Sequence, residues 1–155
     1  MGFLDKMADA FNPVTGGGAV VNIAYPRHPV KVGEWVGVKV YVTSTGGELK
    51  TNGVFVDFMA AEQGRVNGYG RCPHCHETGY TTVEVNTTTV DVAVPLASPF
   101  VLGANEQRDF EGNVQVPPGS PTYRSRYINQ LWYIRGRLDA FGNDPDSGYK
   151  EIVVV

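Results

Sequence analysis

Two cysteines and two of the three histidines of this 155-residue chain lie within nine residues, Arg71-Cys72-Pro73-His74-Cys75-His76-Glu77-Thr78-Gly79. Thiolates and imidazoles this close together can do three kinds of chemistry. They can ligate a borderline metal, exchange disulfides, or take covalent attachment of a cofactor at sulfur. A fourth outcome is no chemistry at all: two free thiols on an exposed, glycine-rich loop.

Each outcome makes its own demands. Cys72-Pro73-His74-Cys75-His76 fits Cys-x-x-Cys-His, the attachment sequence of c-type haem, in which His76 would be the axial ligand. That attachment takes place outside the cytoplasm, and no export signal is visible. Gly64, Asn67, Gly68, Gly70 and Arg71 offer no apolar pocket either, so haem c is disfavoured. Cys-Pro-His-Cys is also the active-site tetrapeptide of strongly oxidising thioredoxin-like enzymes. Their reactive thiolate depends on a helix N-terminus, whereas Glu77-Thr78-Gly79 leads here into strand signal. Haem and thiol–disulfide exchange together make the alternative reading, a metal- or redox-active protein with this loop as its working part.

Zinc asks least of the surroundings. A Cys-x-x-Cys knuckle presents two thiolates from one tight turn, and Cys72 to Tyr80 resembles half of a chaperone-type zinc ribbon. A closed tetrahedral site needs two further ligands. His76 or His74 would be the third. His28, Glu77 or the knuckle of a second copy would be the fourth. The expectation is a structural zinc at Cys72, Cys75 and His76, with His74 as the alternative histidine.

Other constellations carry less. Asp144-Pro145-Asp146 reads as a turn before it reads as a weak calcium site. Arg135 and Arg137, with Arg124 and Arg126 upstream, read as a solvated sheet face before an anion patch. No serine sits in a nucleophile elbow and no phosphate loop is present. Asp57 and Glu62 are out of phase for a shared cleft. No catalytic residue is assigned, and the chain is read as a non-enzyme.

The elements that must hold the Cys/His stretch are strands. The length suits one domain with a real core. Gly 19 and Pro 10 are spread along the chain, as turns between short strands require. Charged residues are 19% and the net charge is −3 without a basic cluster, which argues against a nucleic-acid surface. Residues 2–11 can form a short helix with Phe3, Leu4, Met7, Ala8 and Phe11 on one face. That face would dock a protein partner or pack on its own domain. Asp5, Lys6 and Asp9 weaken a membrane-surface reading and rule out a secretory leader, and Lys6 stands where a myristoylation signal needs Ser or Thr. With no bilayer-spanning run, the expectation is a cytoplasmic protein. There, paired cysteines point to a metal or free thiols before a disulfide. Pro13 and Gly16-Gly17-Gly18 close the helix as a hinge, giving a segment 1–17.

From residue 18 to 155 alternation dominates. Ala19–Tyr25 is a strand. Val36, Val38, Val40 and Val42 alternate against Trp35, Gly37, Lys39, Tyr41 and Thr43. Val54, Val56, Phe58 and Ala60 form the next inward set. Gly64–Gly79 reads as an inserted Cys/His loop. Strand signal returns at Tyr80–Val85, breaks at Asn86 and resumes at Thr89–Leu96, with Val90, Val92 and Val94 in phase. Gln107–Val116, Tyr127–Phe141 (Trp132, Ile134, Gly136, Leu138 and Ala140 on one face) and Tyr149–Val155 follow. No β-then-helix alternation appears. The fold class is therefore all-β: an antiparallel immunoglobulin/arrestin-like β-sandwich of seven to eight strands with a short N-terminal helix. Exposed strand edges make a homo-oligomer an expected state.

Three stretches resemble the arrestin-like sandwich. Pro29-Val30-Lys31-Val32-Gly33-Glu34-Trp35-Val36-Gly37-Val38-Lys39-Val40 looks like that family's entry into its second strand. Arg108 to Pro118 is similar to its strand with an inward Phe (here Phe110) and a proline-rich turn. Leu131 to Ala140, followed by an Asp/Gly turn and Tyr149 to Val154, resembles its aromatic and closing strands. In character the chain is similar to the bacterial sporulation-control proteins, which are cytoplasmic, arrestin-like and open with a short Phe/Leu/Met-rich helix. The resemblance implies a non-catalytic adaptor or scaffold that binds proteins, and no catalytic residues. Two features depart from the family: one sandwich in place of the usual pair, and the Cys/His loop.

Overall fold

The computed structural model describes residues 14–16 and 18–155. The expected helix over 2–11, with Phe3, Leu4, Met7 and Phe11, lies outside the described residues. Ten strands are present: β1 Val14–Gly16, β2 Ala19–Ala24, β3 Trp35–Ser44, β4 Leu49–Arg71, β5 Thr78–Ala97, β6 Phe100–Leu102, β7 Gln107–Gln115, β8 Tyr123–Arg124, β9 Ile128–Ala140 and β10 Lys150–Ile152. The excess over the expected seven or eight comes from β1, β6 and β8, which are two or three residues each.

The strands pair antiparallel in two sheets. One has the order β1-β2-β3-β7; the other has β10-β9-β4-β5, with β6 added to β4 and β8 to β9. Their inner faces carry the alternating residues the sequence points to. Val36, Val38, Val40 and Val42 of β3 and Val21 and Ile23 of β2 meet Val54, Val56, Phe58 and Ala60 of β4 and Trp132, Ile134, Leu138 and Ala140 of β9, all buried in one core. Each such Val, Ile, Leu or Phe stabilises the fold by about 1.5–3 kcal/mol through burial. The two sheets thus form an antiparallel β-sandwich, as expected. Val92 lies opposite Phe58 yet stays 38% exposed, because β5 is the edge of its sheet.

The main departure from the sequence reading concerns residues 64–79. They are not a loop inserted between strands. β4 runs unbroken through 23 residues and β5 through 20, paired with each other up to Arg71↔Thr78. Gly64, Gly68, Gly70 and Gly79 weaken the local strand signal, since glycine has no side chain to pack, but the ladder with the partner strand carries the conformation. Asn86 does not break β5 either: it pairs with Gln63.

The long strands stay aligned by local irregularities. Register shifts lie between Thr51 and Gly53 against β9, and between Val54 and Phe55 and between Ala60 and Ala61 against β5. At the first shift Gly53 has φ 130°, and a Cβ there would sit 2.3 Å from the carbonyl oxygen of Ala97. Both the backbone conformation and the space demand glycine. Gly53→Ala is therefore expected to destabilise the sandwich by at least about 2 kcal/mol, read as a lower urea midpoint with an unchanged slope. A loss below about 0.5 kcal/mol, the size of an ordinary surface substitution, would contradict that account.

Candidate functional site: the tip of the β4–β5 ribbon

β4 is flanked by β9 only as far as Gly64↔Ile128, with Arg65 N–H donating to the Tyr127 carbonyl at 3.0 Å. Beyond that point β4 and β5 continue alone as a two-stranded ribbon. Arg65 to Arg71 at about 3.3 Å per residue carries the tip roughly 20 Å past the last β9 pairing. The ribbon is held by cross-strand pairs. Tyr69 and Tyr80 stack edge to face with centroids 5.3 Å apart, Thr82 Oγ1 lies 2.7 Å from Asn67 Oδ1, and Arg65 faces Glu84 at 3.7 Å. Tyr69, Tyr80 and Val83 are 69%, 85% and 54% exposed. A two-stranded ribbon of this kind is only marginally stable by itself, so the sandwich must anchor its base.

The tip is the six-residue turn Cys72–Glu77. Its closing bonds are Cys72 N–H to the Glu77 carbonyl at 2.8 Å and His76 N–H to the Cys72 carbonyl at 3.0 Å. His76 takes a left-handed conformation, φ 60°, and its carbonyl accepts a hydrogen bond from Arg71 Nε at 2.9 Å. The Cys75 N–H points at Cys72 Sγ, 3.4 Å away. That donor, helped by the amides of His74 and His76, holds the Cys72 thiol below its ordinary pKa of 9.0. Hydrogen bonds to the charged form favour it. Cys72 and Cys75 are both free thiols, and they border an open concavity lined also by Arg71, Pro73, Glu77 and Tyr80. Iodoacetamide at neutral pH should therefore alkylate Cys72 faster than it does a cysteine in an unstructured peptide, as peptide mass spectrometry would read. A rate no higher than the peptide's would mean that the turn does not favour the Cys72 thiolate.

Of the expected zinc ligands, the fold brings Cys72 and Cys75 together in one turn. Among the described residues no group of three or more His, Cys, Asp or Glu side chains gathers where one metal could be held. The backbone of His76 is spent on closing the turn, through its N–H and its carbonyl. The turn presents two thiols, and a tetrahedral zinc site takes four ligands.

Two of the four arginines, Arg135 and Arg137, depart from the solvated sheet face expected of them, whereas Arg124 and Arg126 are exposed. Arg135 and Arg137 lie on the outer face of the β9 sheet, where Asp57 of β4, only 4% exposed, accepts from Arg135 Nε at 2.8 Å and Arg137 Nε at 2.9 Å. The Asp144-Pro145-Asp146 turn folds back on the same cluster, with Asp146 3.1 Å from Arg135 and Asp144 3.3 Å from Arg137. Arg135 also stacks on Tyr149, and Arg137 on Phe55. Hydrogen bonding to Asp57 raises the pKa of Arg137 above its ordinary value. This is an ion cluster of two arginines and three aspartates, in which both guanidiniums are paired. Arg124 pairs with Glu151 and Arg126 stacks on Tyr127. The signal for the cluster was a lone acid on the outward phase of β4, opposite two arginines one pleat apart on β9.

Among the described residues no helix is long and apolar enough to cross a membrane. No known protein family matches the sequence, and no curated protein does. Among solved structures, the chain is similar to Spo0M, the sporulation control protein of Bacillus subtilis, with a TM-score of 0.60 and 14% sequence identity. The match covers 90% of this chain but 50% of that one, so the chain spans half the length of Spo0M. The likeness is one of fold, and the sandwich is arrestin-like.

Proposed function

We propose that the chain is a non-catalytic adaptor or scaffold that recruits a protein partner through its ribbon and sheet edge, with a structural zinc knuckle at Cys72 and Cys75. One observation carries this reading. The β4–β5 ribbon leaves the sandwich with Tyr69, Tyr80 and Val83 exposed, and no described strand covers the outer side of β5. Soluble proteins seldom leave such features without a use: an uncovered strand edge offers main-chain hydrogen bonds, and exposed aromatics supply anchoring area. A fold shared with a sporulation control protein supports a regulatory role over a catalytic one.

The test places a photo-reactive phenylalanine analogue at Tyr80 and, as a control, at Phe141, which is 95% exposed near the end of β9. A discrete cross-linked protein from Tyr80, lost when excess unmodified chain is added and absent from Phe141, is the expected result. Equal labelling from both sites, or none from Tyr80, overturns the adaptor reading.

A further inference from the structure

Resting on the zinc-knuckle reading, we infer that the ribbon tip is half of a metal site shared between two copies of this chain: Cys72 and Cys75 of each copy bind one zinc ion, joining the proteins tip to tip.

The argument is a count of donors and a matter of access. Structural zinc closes a tetrahedron of four protein ligands. The tip presents two thiols from one turn, and among the described residues no group of three or more His, Cys, Asp or Glu side chains gathers where one metal could be held. One more copy of the same turn would supply the other two thiolates. A twofold axis through the metal supplies it, and such isologous pairing is the commonest form of protein association. The knuckle is already set for this. The turn is closed by three backbone-directed bonds from Cys72, His76 and Arg71, and an amide faces Cys72 Sγ. Little ordering would remain to be done when metal binds.

The ribbon supplies the access. Its last stretch is only two strands wide and stands roughly 20 Å beyond the β9 pairing, so two tips can meet without the sandwiches colliding. A site buried in the sandwich, or on a short hairpin flush with it, would not permit this. Charge does not oppose the meeting at the turn itself: Arg71 and Glu77 both line the tip concavity, and each copy brings one of either sign.

The experiment uses the 155-residue chain with zinc alone as the probe. Chelated protein is titrated with zinc while molar mass is followed by light scattering, bound metal by elemental analysis and ligand type by X-ray absorption. The expected result is a dimer with one zinc per two chains, a single shell of sulfur at about 2.3 Å, and return to monomer with chelator. The Cys72→Ser/Cys75→Ser variant should keep the wild-type thermal transition of the sandwich and stay monomeric at every zinc level. Three results would overturn the shared site. One zinc per chain on a monomer, with mixed sulfur and nitrogen, would place His74 or His76 in a one-chain site and leave the zinc reading standing. A dimer that survives chelator and the serine variant would be held by another surface. No bound zinc at all would sink the knuckle and the shared site together. The cross-linking of Tyr80 would then still judge the adaptor role separately.

Discussion

Asp57→Ala is expected to lower stability by about 3 kcal/mol, the low end for breaking a buried ion pair, and the melting temperature by roughly 10 °C for a domain of this size. Asp57 sits 4% exposed between two guanidiniums that are themselves mostly covered, Arg135 by Tyr149 and Arg137 by Phe55. Removing the carboxylate leaves both cations short of water and without their shared acceptor. Asp144 and Asp146 remain, but each reaches only one arginine and is itself more exposed than Asp57. Desolvation decides the size of the effect. A pair exposed to solvent such as Arg65–Glu84 is worth only a few tenths of a kcal/mol. The control is a triple variant, Asp57→Ala with Arg135→Met and Arg137→Met. Removing Asp57 and both arginines together should recover most of the loss, since apolar replacement of a buried ion pair or triad is often neutral and the remaining Asp144 and Asp146 are each more exposed than Asp57. Denaturant unfolding checks both. A single-variant loss under about 1 kcal/mol would mean that water screens the cluster as it does a surface pair.

Trp132→Ala is expected to cost more, about 4 kcal/mol. Trp132 is fully buried on β9, and its indole N–H donates to the Ser120 carbonyl at 2.8 Å. The Pro117-Pro118-Gly119-Ser120-Pro121 turn lies over the ring so closely that a Cβ on Gly119 would come within 2.7 Å of it and 2.8 Å of Val90. The substitution opens a cavity, orphans that carbonyl, and removes what seats the turn against β5. Trp132→Phe keeps most of the volume and loses chiefly the hydrogen bond, worth about 1 kcal/mol, so the two variants separate packing from bonding. Fluorescence offers a second reading. The only other tryptophan, Trp35, is 65% exposed, so loss of Trp132 should leave a red-shifted spectrum in a protein that is still folded. Hydrogen exchange should rise at Gly119, Ser120 and Val90, the amides of the turn and of the strand beneath it. If exchange there is unchanged, the turn is held by something other than Trp132.

Much of the framework can be read from the chain letters because period-two alternation reports which face of a strand is buried. Val36 to Val42, Val54 to Ala60 and Trp132 to Ala140 are inward for that reason alone. The Cys-x-x-Cys turn is legible for an equally local reason, since four residues suffice to place both cysteines in one turn. What escapes a local reading depends on partners far away in sequence. Asp57 finds Arg135 across 78 positions, and no pattern within β4 marks it as buried. The glycines of residues 64–79 lower local strand preference, yet pairing of β4 with β5 overrides them.

By itself, then, the sequence determined the strand phases, the sandwich class and a turn with two thiols, because each rests on residues a few positions apart. The tertiary structure alone decided that the Cys-x-x-Cys turn rides at the end of a ribbon and that Arg135 and Arg137 serve Asp57. Those outcomes follow from strand pairing and register, which bring together or keep apart side chains that no local spacing relates.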